Sequence, residues 1–535
     1  MAQPEAGTGQ QRMLRPLETL SRFGVHAQTL DATLAARVAA APERPFLLDG
    51  ARRWSYRAFA AETAAAALRL HEAGVVSGDR VAVIAATGAG LVLALFAIAR
   101  LGAVFVPVNP DLHADEAGAL LARCRPRLVL HDAERSALAA RATAALATRC
   151  WSLEAFGDGL ATAPPLPESH PRPDPAQTCL VFFTSGTTGL PKGVMHAHRN
   201  FVVAGEGFVE RQWLQPDDRM LCVLPMFHVN ALFYSLGGAL AAGAALILGG
   251  RFSASRFWPL VAESDATQVN LLGSIGRILA LRPRAEFVPR HRLDRVYCVP
   301  MPEDVCELFR GAFGVRWIAE GYGMSEIPGI LAQPYGREPR IGTMGSVCRH
   351  PDGRALGEIL VVDESGAQVA PGAPGTLLVR TELVMQGYFE DPEQTRNAFR
   401  DGFFVTGDRV REVAPGLYAF VARDKDMIRR RGENIAAAEI DRAALTCPDI
   451  GEAAAVPVPS PLGEDDILLA VVPRVGADVT AARVHAHLRG CLPPARMPRY
   501  VAIVDAVPYG PTQRVLRFKL AQDMSLRARA TDFGG

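Results

Sequence analysis

The 535-residue chain has no excess of charge of either sign. Lys and Arg number 57, Asp and Glu 56, for a net charge of +1. That balance excludes a polybasic nucleic-acid binder and an acidic disordered tail. No CxxC pair occurs, and the nine cysteines are scattered and odd in number. This fits reduced thiols in a cytoplasmic protein and excludes a disulfide framework or a cysteine zinc site. None of the twelve histidines forms an HxxxH spacing beside acidic partners, so no d-block metal site is expected. Residues Met1–Gln28 have no apolar stretch of the secretory kind. Internal repeats and low-complexity tracts are also lacking. One long uncharged run exists, Ala231–Gly250 (ALFYSLGGALAAGAALILGG), long enough to span a bilayer. Its glycines, and its change from Ala/Leu text to ALIL, read instead as a buried helix, a turn at Gly243 and a core strand. No basic asymmetry flanks it, and no membrane span is expected.

What is present is an ordinary globular mix, 49% hydrophobic and 21% charged. The length suggests three or four domain-sized units, or one large α/β body with a smaller appendage. Ordered text starts near Arg44. Ser55 caps a helical pattern that ends at Gly74. RVAVIA (Arg80–Ala85) reads as a buried strand, GLVLALFAIARLG as a helix closed by Gly102, and AVFVPV as the next strand. Such alternation predicts a mostly parallel sheet covered by helices. The proline-rich stretch Ala161–Pro175 reads as a surface linker leading into the apolar strand Cys179–Phe183. Around Val361 the text turns to short strands bounded by Gly or Pro (EILVVD, GTLLVR, LYAFVA), a β-rich subdomain. A charged, hinge-like segment, RDKDMIRRRG, begins at Arg423. About a hundred residues of alternating helix and strand follow it, the size of a small α+β domain.

The most informative segment is FFTSGTTGLPKGV (Phe182–Val194). A strand runs into a loop carrying Thr184, Ser185, Gly186, Thr187, Thr188 and Lys192. Glycines let backbone N–H groups converge, hydroxyls add donors, and the lysine adds a point charge, a set suited to polyphosphate oxygens. The spacing GxxGxxKG is not the GxxxxGK[ST] of an ordinary P-loop, so that class is disfavoured.

This segment resembles the phosphate loop of the adenylate-forming superfamily of acyl-CoA ligases, peptide-synthetase adenylation domains and luciferases. Other segments resemble that family's motifs in the same order, over roughly Arg44–Leu520. PMFHVN (Pro225–Asn230) resembles the segment whose histidine, here His228, flanks the acyl pocket. EGYGMSE resembles the adenine and magnesium motif, with Glu320, Gly321, Tyr322, Gly323, Met324 and Ser325 at the nucleotide and Glu326 at Mg2+. VTGD places Asp408 at the ribose hydroxyls, with Arg423 as a donor at the same sugar. ARDKDMIRRRGEN resembles the hinge, at Lys425, and the loop after it.

The resemblance implies an α/β fold in two parts. A large N-terminal adenylate-forming domain of helix-covered sheets and a β-rich subdomain occupies 44–422, after an extension at 1–43. A small mobile α+β C-terminal domain occupies 423–535. It also implies ATP or AMP (as acyl-adenylate), Mg2+ and coenzyme A. Physical chemistry agrees with the roles: an aromatic face for adenine and a hard carboxylate oxygen for magnesium. Three features favour CoA as acceptor. Gly432-Glu433-Asn434 matches the turn lining the pantetheine tunnel. Arg429, Arg430 and Arg431 stand where a CoA phosphate could be met, or form a solvated basic run beside the hinge. No carrier-protein domain is evident after the small domain. RFSASRFW and RRRGEN look most like the crotonobetaine/carnitine-CoA ligase branch.

Two departures stand out. The family's Gly-Gly-Ala-Pro, a close-approach segment at the nucleotide and acyl pocket, reads Tyr297-Cys298-Val299-Pro300. Side chains are therefore expected where backbone approaches ligand, with Val299 and Pro300 at the site. The family's Pro-Thr-Gly-Lys-Ile reads Pro511-Thr512-Gln513-Arg514-Val515, so Arg514 stands for the catalytic lysine. The expected activity is acyl transfer to CoA from an acyl-adenylate, with adenylation of the free acid by ATP impaired. The acyl-adenylate would then come from a separate adenylating enzyme. The rivals are a complete ATP-dependent synthetase, transfer to a carrier-protein thiol, and a non-catalytic binder of nucleotide or acyl-adenylate. His228, Val229, Asn230, Phe233, Gly273, Ser274, Val299, Gly321 and Met324 are the candidate acyl-pocket residues, mostly apolar or small. No fixed cation for a second substrate carboxylate is evident among them.

Overall fold

Apolar strands alternating with glycine-closed helices build two seven-stranded sheets. The computed structural model describes residues 13–23, 28–184, 192–423, 427–430, 433–460, 465–510 and 515–534. The chain divides into two units, Met1–Ile359 with Val379–Phe404, and Leu360–Leu378 with Val405–Gly535. This division differs from a cut at the hinge: the strand carrying Asp408 belongs with the second unit.

In the first unit, one sheet has the order Gly387–Tyr388, Lys192–Ala197, Thr178–Thr184, Val104–Val108, Arg80–Ile84, Leu128–His131, Arg149–Ser152. The strands from Thr178 onward run parallel, and the first two are antiparallel additions at one edge. The other sheet has the order Trp317–Ala319, Arg295–Val299, Gln268–Leu272, Arg219–Cys222, Ala245–Leu248, Pro45–Asp49, Arg52–Ser55, parallel except for the last strand. Strands covered on both faces read as continuous apolar runs rather than alternating ones. The helix Ala89–Arg100 is likewise buried along nearly its whole length. Ser55 caps the helix Tyr56–Glu72, its Oγ accepting from Ala58 N at 3.2 Å.

The uncharged run resolves largely as its sequence implies. A π-helical segment Asn230–Leu236 passes into the helix Gly237–Ala242. Gly243 then turns the chain at φ +68°, and Ala245–Leu248 is a central strand. No described helix is long and apolar enough to cross a membrane. Order begins earlier than the sequence suggests. Helices Pro16–Ser21 and Leu30–Ala40 precede Arg44. Arg37 ties the second of them down, donating from Nε to Leu240 O at 2.8 Å and from Nη2 to Ala241 O at 2.7 Å. A short helix held mainly by distant carbonyls leaves little trace in local pattern.

In the second unit the strand Leu417–Arg423 pairs antiparallel with the strand Phe403–Ala414, Asp408 opposite Arg423. Strands Met427–Arg430 and Glu433–Ala436 pair with each other. A four-stranded sheet of Ile450–Pro459, Asp465–Pro473, Tyr500–Ile503 and Thr531–Asp532 packs with the helices Ala437–Leu445 and Ala481–Arg489 around Ile440, Leu469, Val484 and Leu488.

Candidate active site

The phosphate-loop segment is a β-hairpin. Strand Thr178–Thr184 pairs with Lys192–Ala197, Thr184 facing Lys192 across the ladder. The connection bearing Ser185, Gly186, Thr187 and Thr188 lies outside the described residues. A strand and not a helix follows this loop, so no helix dipole is directed at it.

The magnesium motif forms a second hairpin. Strands Gly321–Met324 and Ile327–Ala332 are antiparallel with Met324 opposite Ile327, which makes Ser325 and Glu326 the two turn residues. Three contacts pin this turn, one to the first hairpin and two to the segment 385–388 at its edge. His196 donates from Nε2 to the Ser325 carbonyl at 2.6 Å. Met385 N donates to Glu326 O at 2.8 Å. Tyr388 Oη donates to Glu326 Oε1 at 3.0 Å. Tyr388 sits on the edge strand beside Lys192–Ala197, and Lys192 Nζ lies 5.3 Å from its ring centroid, within cation–π range. Lys192, Tyr388 and Glu326 thus form one continuous line between the phosphate loop and the carboxylate. Burial and the adjacent Glu326 push the Tyr388 phenol up, keeping it a donor. Burial holds His196 down at about 4, so it is neutral, with its proton on the nitrogen facing Ser325.

Around adenine's expected position, Tyr322 and the glycines point to opposite faces of their strand. A Cβ at Gly321 would collide with the Tyr297 hydroxyl, and one at Gly323 would meet Tyr234 Oη at 2.9 Å. These glycines are required for close approach rather than for turning. Glu320 is buried, its Oε2 has no hydrogen-bond partner, and desolvation raises its carboxyl to about 8. His228 starts the turn into the π-helical segment: its N donates to Pro225 O at 3.1 Å and its O accepts from Leu232 N at 3.2 Å. Its ring lies 4.3 Å from that of Phe227. Asn230 accepts from Asn270 Nδ2 at 3.1 Å, anchoring that segment to the neighbouring sheet. Gly273 packs on Pro300, whose carbonyl would be 2.6 Å from a Cβ there.

Two sequence expectations change. Tyr297 and Cys298 are both buried, and of the four residues only Val299 and Pro300 reach accessible surface. The two point to opposite faces of the strand Arg295–Val299, and both faces are covered: Tyr297 packs on Phe208 and Tyr234, and Cys298 lies on the side of Gly276. Phe233 is likewise a core residue, packed on Phe182, His196 and Phe201 with ring centroids 5.1–5.8 Å apart, and is not a pocket wall.

In the second unit Asp408 and Arg423 form an ion pair, Arg423 Nε lying 2.8 Å from Asp408 Oδ1. Asp408 N donates to Thr406 Oγ1 at 3.0 Å, which fixes its backbone. Arg430 is a correction. Its guanidinium is buried, donating to Met497 O at 2.5 Å with Nε 3.6 Å from Asp466 Oδ1, so it is a structural group of the small domain and not a cation open to a CoA phosphate. Lys425, Arg431, Gly432 and Arg514 lie outside the described residues, and only the backbone of Glu433 and Asn434, in a strand, is described. His196 and Tyr388 were not legible as functional, since nothing in HAH or GYF marks them until the sheet edge places them beside the Ser325–Glu326 turn.

Among the described residues no cluster of three or more His, Cys, Asp or Glu side chains could cage a metal. A single carboxylate, Glu326, fits magnesium carried mainly by nucleotide phosphates and water.

The AMP-binding enzyme family matches residues 34–389, and the AMP-binding enzyme C-terminal domain matches 439–512. The chain belongs to the AMP-binding enzyme family. Within it, the chain is an acid–thiol ligase of the AMP-forming, acyl-CoA type, using ATP, Mg2+ and coenzyme A. It is 32% identical over 504 residues to a sulfoacetate–CoA ligase of Cupriavidus necator, covering 92% of this chain and 97% of that one. It is 31% identical to an indoleacetate–CoA ligase of Aromatoleum aromaticum, with 85% and 90% covered. ATP-bound MatB from Rhodopseudomonas palustris superposes with a TM-score of 0.83 at 26% identity, over 92% of this chain and 98% of that structure.

Proposed function

We propose that this ligase completes the thioester half-reaction well and the adenylation half-reaction poorly. In the first step an acid carboxylate attacks the ATP α-phosphate, pyrophosphate leaves, and negative charge builds on the phosphoryl oxygens. In the second the CoA thiolate attacks the acyl carbon and AMP leaves. The observation that carries the reading is Gln513-Arg514 in place of Gly-Lys. Arginine keeps the charge but presents a broad planar fork, which is not equivalent to a compact ammonium. Loss of one well-placed electrostatic donor costs about 2.7–4 kcal/mol, roughly 10²–10³ in rate. The composition supports this. The chain has only three lysines, Lys192, Lys425 and Lys519, among 57 basic residues. Two of the three stand at the phosphate loop and the hinge, so lysine persists at motif positions in an arginine-rich chain, yet not at 514.

A rotating small domain, hinged near Lys425, would bring the 511–515 segment in for the first step and the Gly432 turn in for the second. A separate enzyme would supply acyl-adenylate. The branch spelling RFSASRFW does not bear on the substrate: Phe257 and Trp258 are buried in an aromatic cluster with Phe287, Phe309 and Phe313. That the relative from Cupriavidus acts on sulfoacetate supports a small acid with a polar far end. The deciding experiment compares acid-dependent AMP release and acyl-CoA formation in wild type, Arg514→Lys, and Arg514→Lys with Gln513→Gly. Restored adenylation in the lysine variants is expected. Efficient ligation by wild type with no gain in either variant leaves a complete ATP-dependent synthetase.

A further inference from the structure

A cavity of about 410 Å³ lies against the sheet edge that carries the phosphate-loop hairpin. Its floor is apolar: Val104, Val181, Met195 and Phe389. All four stand on the sheet face covered by the helices Ala114–Cys124 and Ser136–Thr143. Met195 and Phe389 are only half-buried there, so apolar surface stays open to water. Side chains alternate between the two faces of a strand. His196 and Tyr388, each next in sequence to one of these two, reach the Ser325–Glu326 turn from the other face. The cavity and the candidate active site therefore lie on opposite faces of the same strands.

The rim is polar, and its neutral donors are already committed. Gln177 Nε2 donates to Ser77 Oγ and to Gly102 O, each at 2.6 Å, and Thr178 Oγ1 donates to Gln386 Oε1 at 2.8 Å. The spare donors belong to two guanidinium groups. Arg80 gives one N–H from each nitrogen to a carbonyl: Nε to Cys124 at 3.0 Å, Nη1 to Gly78 at 3.3 Å and Nη2 to Arg125 at 2.8 Å. An arginine carries five such donors, so the Arg80 head is not exhausted. Arg125 is exposed, and its Nη2 pairs with Glu390, the one acid among the lining residues. Two arginines and one glutamate leave the lining with a net charge of +1. We propose that this cavity binds a monocarboxylate with an apolar body. The body lies on the four floor side chains, and the carboxylate takes the spare N–H groups of Arg80 and Arg125, the paired geometry for which arginine is suited. The volume falls within the roughly 300–1,000 Å³ of small-molecule sites. One negative charge balances the lining. A phosphate monoester carries nearly two and meets Glu390 unbalanced, and a neutral chain leaves the guanidinium donors unused.

Carboxylic acids are also the ligase's substrates, so the test fills the acyl pocket first. Octanoate, octan-1-ol and octyl phosphate are titrated calorimetrically into the full-length protein saturated with N-(octanoylsulfamoyl)adenosine, a non-hydrolysable acyl-adenylate analogue. Octanoate is expected to bind once per chain, roughly tenfold or more tighter than the alcohol or the phosphate, the scale of a hydrogen bond to a charged group. Arg125 holds left-handed backbone at φ +44°, which glycine adopts freely, so Arg125→Gly removes the cation without straining the fold. It should bring octanoate affinity towards that of the alcohol and leave the alcohol within about twofold. Val104→Phe fills the floor and should weaken both. Octanoate that binds only in the absence of the analogue sits in the acyl pocket and overturns the inference. So do an alcohol or phosphate bound as tightly as octanoate, and octanoate affinity unchanged in Arg125→Gly. If the analogue itself does not bind, the acyl-adenylate reading fails, while the octanoate ranking and its response to Arg125→Gly still decide the cavity. Arg125→Gly also decides if the phenylalanine variant does not fold.

Discussion

Tyr388 donates a 3.0 Å hydrogen bond to Glu326 Oε1 from an edge strand 62 residues further along the chain. The same phenol ring lies beside Lys192. One side chain thereby sets the distance between the phosphate-loop cation and the carboxylate suited to magnesium.

Replacing Tyr388 with Phe keeps the ring and removes the donor. Hydrogen bonds to charged groups contribute about 1.5–3 kcal/mol. Tyr388→Phe should weaken Mg2+–nucleotide binding by roughly tenfold, read by calorimetry across a magnesium titration, and change magnesium-free AMP binding little. Equal weakening with and without magnesium would mean that the phenol does not position Glu326.

Glu320 couples stability to pH. Its carboxyl stands at about 8 in the fold against about 4.3 unfolded, so the native state holds the proton more tightly. This contribution is fully present below pH about 4 and is lost as pH rises through about 8. In denaturant unfolding from pH 5 to 8, Glu320→Gln should gain on wild type steadily as pH increases. Parallel profiles for the two proteins would refute the assignment.

Gly205 marks a close backbone approach between the helix His198–Gln212 and the segment at Gly237. A Cβ there would lie 2.5 Å from the Gly237 carbonyl, on the segment that follows the acyl-wall residues. Gly205→Ala should destabilise the protein by about 1–3 kcal/mol through overpacking and raise the KM for the acid. An unchanged melting temperature would show that the two helices separate without cost.

The proposed function gives the Gly432-Glu433-Asn434 segment the task of positioning the pantetheine thiol. Gly432→Leu should raise the KM for CoA or abolish transfer, while a pre-bound acyl-adenylate is still retained. Unaltered CoA kinetics would misplace the pantetheine tunnel.

Local chemistry made much of this protein legible from its sequence. The alternation of apolar strands with glycine-closed helices foretold the sheets. The run Ala231–Gly250 read correctly as helix, turn and strand because Gly243 interrupts it. The motifs around Lys192, Glu326 and Asp408 stand out in the sequence because contiguous residues of special type, glycines and charges in short spans, make them up. Tertiary structure decided the rest, where a role depends on who the distant neighbour is. Arg430 reads as a surface cation but is buried on Met497 and Asp466, and Tyr297 reads as pocket bulk but is buried against Phe208 and Tyr234. Tyr388 and His196 have ordinary sequence surroundings and gain function from the strand pairing that sets them beside the Ser325–Glu326 turn. Arg211 lies in a helix whose text places it no differently from an exposed arginine. Its burial among Phe208, Tyr234 and Tyr297 comes from elements far apart in the chain, and periodicity within one helix carries no information about which side chains another element will bring to it.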